Sequence, residues 1–585
     1  MATAVRESHI FLPRYVETDK GYAIHFGRVH ISQSTFMLCA AVLIGIGGGY
    51  GAVIFRHMID GAGYLAFDLI GGHLLGRLGF LAILIVPIIG GITTSALVAR
   101  FAPEARGHGV PEVMEAVALR AGRMRPRIIA VKSIASAICI GFGGSCGREG
   151  PIVQIGSTIG SVLGQLGRVP APIARTLVAC GAASGVSATF NAPIGGVFFA
   201  SEVILGEFAP RSFAAIVIAS VVSAVIGRAY FGNHPSFTAA AFNLVSPAEL
   251  LLYAILGVIC AFWAAGFVKL LYAVEDLFDG LKVPRWAKAT IGFGALGIIG
   301  LWRPQIFGVG YEAIDQVLHS HVPPSQALLL AALKPIATSL TLGSGGSGGV
   351  FSPSLFTGAM LGDAFGRVVH LFAPTWTATG AAYGLVGMAA VFSAAAEAPI
   401  TAIMIVFEMS NDYLIVLPLM VSTVIATVLG RRLIRGTVYE LKLMRRGINW
   451  EAVRHPRLLT RRNVASIQRE LPPVGYAGEP LSEVAKRIST SSEGAIPVLR
   501  DGRCIGIVPF PDFIEHLRSE PLVPIDTIAR ATETLVPDDS FERAATLLAD
   551  PGIAALPVAD PTTGNFIGMI TRRDVLDAYR SAVQL

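Results

Sequence analysis

From residue 36 to residue 448 the chain is written in long apolar runs separated by short interruptions rich in glycine and proline. The stretches 36–55, 78–98, 250–265 and 414–429 reach or approach the about 20 apolar residues that cross a bilayer as a helix. Others, 152–163, 194–205 and 350–361, are shorter and broken by Gly or Pro, which predicts helices that stop inside the membrane. Beyond residue 449 the pattern changes to short β-branched runs punctuated by turn residues and charged segments. The predicted organisation is a tail over 1–35, a membrane region over 36–448, a basic linker over 449–463, and a soluble pair of α/β units over about 464–520 and 523–585.

Composition agrees with this division. The chain is 53% hydrophobic and only 15% charged, with mean hydropathy +0.62, whereas about a quarter of a soluble domain is charged. It reads as a polytopic membrane protein. Residues 1–35 lack the short apolar core and small-residue cleavage site of a signal peptide, so the tail is assigned to the cytoplasm. A basic cluster follows the last long apolar run (Arg431, Arg432, Arg435, Lys442, Arg445, Arg446, Arg454, Arg457, Arg461 and Arg462) and places the C-terminal region inside as well. Beside a membrane, lipid headgroups are a plainer partner for it than nucleic acid. The six cysteines (39, 139, 146, 180, 260 and 504) show no CxxC spacing and read as buried free thiols, with neither disulfide framework nor metal site.

Two kinds of repeat are visible. In the soluble part GAIPVLRDGRCIGIVPFPDFIEHL (494–517) matches AALPVADPTTGNFIGMITRRDVLDAY (554–579), each read as strand, turn, strand and a helix opened by Asp512 or Asp574. In the membrane part GFGGSCGREGP (141–151) aligns on GSGGSGGVFSP (343–353), and APIGGVFFASE (192–202) on APITAIMIVFE (398–408). Two repeats, about 36–235 and 248–440, follow; a duplicated transporter places its site where broken helices of both halves converge. The repeats alone leave open whether the halves are inverted.

Non-helical backbone inside hydrocarbon survives only when buried in protein or lining an aqueous cavity. Three stretches, GHGVPEV (107–113), GREGPIV (147–153) and GGVFSPS (348–354), read as loops leading into helix N-termini. Each such terminus carries about half a positive charge and free N–H donors, so several aimed at one point hold an anion without a fixed cation. Weak, shared binding of this kind is what conduction needs. Gly107, His108, Gly109, Arg148 and Gly150 are therefore candidate anion-binding residues. Glu149 sits in the first turn beside donors suited to an anion, so its carboxylate can occupy the site itself and act as a gate until protonated or displaced. A charge at that depth costs about 2.5 to 3.5 kcal/mol on insertion scales, which points to function. The plainer alternative is that Glu149 caps its helix or pairs with Arg148.

Enzymatic readings fare worse. Ser145 and Cys146 in GGSCG would need a base, and the matching apolar segments hold no histidine except His108. GSGGSG (343–348) fits a dinucleotide fingerprint but is followed by an apolar membrane helix instead of lying in a βαβ unit.

GREGP and GVFSP, with the NAP (191–193) and EAP (397–399) segments, resemble the CLC chloride channel and transporter family over about residues 35–450. The soluble repeat resembles a tandem pair of CBS domains, in the order the longer members of that family use. The resemblance implies a mainly helical, duplicated, inverted-repeat membrane fold with broken helices plus an α/β CBS pair. It implies a homodimer with an anion pathway in each subunit, chloride or another small anion as the transported ligand, and no required cofactor. Glu149 matches the gating glutamate, Val350 and Phe351 the anion-binding amides, and Tyr439 the chloride-contacting tyrosine; a Tyr there could otherwise be an interfacial belt residue. His108 departs from the usual Ser or Pro, and either donates to the anion or packs on the vestibule.

Val203 stands where proton-coupled members generally carry a second, internal glutamate, just after Glu202. That departure favours a voltage- or pH-gated chloride channel, with a chloride/proton antiporter as the alternative, protons then passing by Glu207 or a water chain. The implied location is the inner membrane with the CBS pair cytoplasmic. In the CBS pair Thr571 and Asp574 match a ribose-binding pair for an adenine nucleotide, while Pro509 replaces the Thr of the first copy; a structural, dimerising role is the default.

Overall fold

The computed structural model describes residues 14–18, 21–26, 29–73, 79–233, 237, 244–448, 463–466, 472–488, 494–550 and 552–583. The chain divides into two compact units, residues 1–442 and 443–585. Most of the basic linker, 449–462 with Arg454, Arg457, Arg461 and Arg462, lies outside the described residues.

The first unit is helical. Among the described residues seven helices are long and apolar enough to cross a membrane: Gln33–Gly71, Leu81–Phe101, Ala171–Phe190, Ser212–Phe231, Glu249–Gly280, Pro324–Gly343 and Tyr413–Leu433. Ahead of them, Arg14–Thr18, Gly21–Phe26 and Val29–Ser32 form an antiparallel meander that the polar tail gave no sign of. Ser32 closes it and caps the first helix by accepting from the Thr35 amide at 3.2 Å.

The duplication is carried helix by helix. Leu81–Phe101, Val110–Leu119, Arg127–Gly141, Glu149–Leu166, Ala171–Phe190, Pro193–Phe199 and Pro210–Phe231 have counterparts in Arg285–Trp302, Tyr311–Leu318, Pro324–Gly343, Phe351–Phe372, Gly380–Ala396, Pro399–Ser410 and Val416–Leu433. The halves also touch reciprocally. Glu202 accepts from the amides of Ile400 and Thr401 at 3.4 and 2.8 Å, while Glu408 accepts from those of Ile194 and Gly195 at 3.0 and 2.7 Å. Each acid thus caps a helix of the other half, and such an exchange requires a local two-fold axis. The reciprocal contacts are those of two halves related by rotation, as in a duplicated fold.

Two expectations need correction. Like 152–163, which lies inside the single 18-residue helix Glu149–Leu166, the apolar stretch 350–361 is not a short broken piece, since Phe351–Phe372 is one helix of 22 residues. Its glycines serve close packing: a Cβ at Gly358 or Gly362 would run into the backbone carbonyls of Gly387 or Tyr383. Gly156 and Gly160 do the same against Gly181 and Leu177 in the first half. Nor are all the cysteines buried: Cys39 lies on an exposed face of the first apolar helix, and Cys504 is partly exposed.

The second unit holds two similar modules. Ala495–Arg500 pairs antiparallel with Arg503–Pro509 and parallel with Gly475–Tyr476, and Ala555–Ala559 pairs antiparallel with Phe566–Thr571. Helices Phe510–Ser519 and Arg572–Val583 follow the second strand of each copy. Ala495, Ile507, Ala555 and Met569 form one buried cluster that joins the copies.

Candidate functional site

The centre of the membrane unit is a pair of glycines. Gly147 and Gly349 exchange backbone hydrogen bonds in both directions at 2.7 Å, and they stand 202 residues apart, as the repeats do. Around them the same exchange recurs. The Ser136 and Ser347 hydroxyls lie 2.9 Å apart, and those of their counterparts Thr338 and Ser145 lie 3.5 Å apart. The two-fold axis therefore passes between GREGP and GVFSP, and helices Glu149–Leu166 and Phe351–Phe372 start on either side of it.

The third junction joins them. Gly107 donates to the Gly346 carbonyl and accepts from the Gly348 amide, both at 3.2 Å, and a side chain at Gly150 would collide with the His108 carbonyl. A Cβ on Gly109, where φ is 89°, would sit 2.7 Å from the Gly150 carbonyl oxygen. Gly107, His108, Gly109, Gly150 and Val350 are thus brought to one place. At Gly109 and Gly150 glycine is needed because backbone meets backbone there. The Phe351 ring is clamped by Phe190 and Phe392, with centroids 5.0 and 4.1 Å away. That anchorage fixes the end of the helix, whose first N–H groups have no intrahelical partner.

A fourth junction, which the sequence reading missed, completes the ring. GVGYEA (308–313) is the counterpart of GHGVPE (107–112), and it leads into helix Tyr311–Leu318 through Gly310. Two buried lysines hold these loops identically. Lys132 donates to the carbonyls of Ala105 and Gly107 at 2.9 and 2.8 Å, and Lys334 to those of Ile306 and Gly308 at 2.9 and 2.8 Å. A lysine spaced equally in both halves was the available signal.

Glu149 is 1% exposed, and its Oε1 accepts from the hydroxyls of Tyr311 and Ser352, both at 2.5 Å. Its Oε2 lies against Gly147, where any side chain would collide with it. Arg148 lies 5.0 Å over the Tyr311 ring. The carboxylate is therefore held inside the ring of helix ends, between the two halves. The Tyr439 side chain is buried within electrostatic reach of it. His108 is buried edge-on to Tyr272 at 6.4 Å, and the Tyr272 hydroxyl donates to the Val438 carbonyl at 2.5 Å, next to Tyr439.

Lys442 departs from its place in the basic cluster. It is buried against Gly107 and pairs with Glu112 at 3.8 Å, while Glu112 also accepts from the Gly109 amide at 3.1 Å. With Lys132 and Lys334 it brings three buried amino groups to the junctions, beside the helix dipoles. Val203 is buried in the π-helical stretch Ala200–Leu205, and Glu207 is exposed beyond it. In the second unit, the Thr571 hydroxyl donates to Asp574 at 2.6 Å and the Thr571 amide at 2.8 Å, so these two residues bond each other at a helix start.

Residues 90–431 match the family model described as voltage gated chloride channel, more than half of the chain. The chain belongs to the voltage-gated chloride channel (CLC) family. Residues 461–519 and 526–581 match CBS domains. As a CLC protein it transports anions and is an integral, multi-pass membrane protein. It is 31% identical over 418 residues to a ClcB-like protein of Ralstonia nicotianae named as a chloride channel protein, covering 70% of this chain and 97% of that one. It is 32% identical over 440 residues to the H(+)/Cl(-) exchange transporter ClcA of Cronobacter sakazakii, covering 72% and 91%. A slow cyanobacterial Cl-/H+ antiporter shares the fold at TM-score 0.66 and 25% identity over 71% of this CLC chain and 98% of its own. A eukaryotic CLC transporter, 19% identical, shares the fold at TM-score 0.66 over 93% and 99%.

Proposed function

We propose that the protein exchanges chloride for protons, with Glu149 as both the gate and the proton carrier. The observation that carries this reading is the buried Glu149 carboxylate at the meeting point of four loop-to-helix junctions. A charge held there competes with an anion for the same donors, and protonation removes the competition. Chloride is held by the Val350 and Phe351 amides and the Tyr439 hydroxyl, in the positive potential of the buried lysines. It passes when Glu149 is neutral or displaced, and the proton that neutralised Glu149 leaves toward the other side.

Exchange replaces passive conduction, which Val203 suggested, because relatives and a structural neighbour at 25% identity or more are named as exchangers or antiporters. Val203 cannot relay a proton, so the inner half of the proton path runs through water. The protein works as a homodimer with one pathway per subunit, in the inner membrane with its CBS pair in the cytoplasm.

The test is proton movement in liposomes holding purified protein. An outward chloride gradient should drive protons inward against no gradient of their own, and a pH gradient should shift the chloride reversal potential. Chloride flux with no proton movement would make the protein a channel.

A further inference from the structure

The residues that bind Glu149 on the far side of the two-fold axis are specific to the second half. Tyr311 opens helix Tyr311–Leu318, and Ser352 lies in the first turn of Phe351–Phe372. Their counterparts in the first half are Val110 and Gly150, neither of which bears a hydroxyl. Both hydroxyls donate to one carboxylate oxygen, and the Ser352 and Tyr311 hydroxyl oxygens lie 3.1 Å apart, so the three groups form a closed triangle. The Tyr311 ring is fixed edge-on against Phe237 at 5.6 Å, with Arg148 over its face.

We infer that Tyr311 and Ser352 are positioning residues that latch the ionised gate in the anion site and so set the rate at which Glu149 gives way to chloride. Two O–H donors on a single oxygen stabilise the carboxylate far more than the neutral acid, which has its own proton to place. Other charged or titratable groups near Glu149 are Arg148 on its own helix, Arg56 on the first helix beyond Arg148 and Tyr311, Lys334 under the Gly308 loop, and Tyr439. None of these donates to Oε1, so the latch is separable from them. It rests on the gate role of Glu149 but not on proton coupling.

The experiment is chloride efflux from liposomes at a series of pH values, for wild type, Tyr311→Phe, Ser352→Ala, Glu149→Ala and the double variant Glu149→Ala/Tyr311→Phe. Tyr311→Phe keeps the ring packing, and Ser352→Ala gives a second route should one of them fail to fold. Each latch variant should raise turnover near neutral pH by about tenfold, the low end for a hydrogen bond to a charged group. The midpoint of acid activation should move up by about one pH unit, because a less stabilised carboxylate takes its proton at higher pH. In the Glu149→Ala background Tyr311→Phe should change nothing. An unmoved midpoint in both single variants, or equal acceleration with and without Glu149, overturns the latch. Loss of proton movement in wild type with the latch effects intact would overturn exchange alone.

Discussion

Glu149 places an acid in a fully buried position between the two halves, a costly location that is sensible only if its ionisation is used. Glu149→Ala should therefore leave chloride flux intact and remove most of its dependence on pH and voltage; flux lost from a folded protein would show that the acid builds the pathway instead of closing it. Tyr439→Ala should weaken chloride binding measured by calorimetry, whereas unchanged affinity would exclude this tyrosine from the site. Gly147 contributes by having no side chain: a methyl group there collides with the Glu149 carboxylate and lies 3.2 Å from the Ser352 Cβ. Gly147→Ala should push the gate out of its seat and give constitutive, weakly pH-dependent flux, read in the same efflux assay. Residues bearing on Glu149 from nearby in sequence were legible as GREGP. Tyr311 and Ser352 were not read as its partners, because they reach it across separations of 162 and 203 residues that no local pattern encodes.

Among elements, the loop-to-helix junctions do the work, and their glycines and prolines made three of the four visible in the sequence. The fourth, at Gly308–Gly310, lacks a proline in its first turn and so escaped the same reading. Helix Phe351–Phe372 escaped for the opposite reason: its glycines look like breaks but are contacts, a distinction that only the neighbouring helix reveals. Lys132 and Lys334 look like stray charges in apolar runs, yet each donates to two loop carbonyls, of which those of Ala105 and Gly107 also accept from the Ser347 hydroxyl and the Gly348 amide. Replacing either by Met should cost about 3 kcal/mol, the upper range for lost hydrogen bonds to a charged group, and lower the thermal midpoint in detergent. The Ala105 and Gly107 carbonyls keep a second donor in Lys132→Met, so that variant should lose no more than Lys334→Met, and a larger loss at Lys132 would mean that the lysines hold the loops in another way.

At the scale of the whole molecule, the change of composition near residue 450 announced two units, and the structure separates them after Lys442. A subunit of 61.5 kDa working as a pair should elute in detergent with a protein mass of twice that value by light scattering; a single-chain mass would remove the dimer from the proposed function. The duplicated membrane unit brings helix ends from both halves to one carboxylate, and the claim on which the rest depends is that chloride and this carboxylate want the same place. Calorimetric titration of chloride into wild type and Glu149→Ala at neutral and acid pH tests that claim most directly. Competition requires wild-type affinity to rise as the pH falls and the Glu149→Ala affinity to be tighter and insensitive to pH. Equal affinities for the two proteins at neutral pH, with no change on acidification, would contradict it.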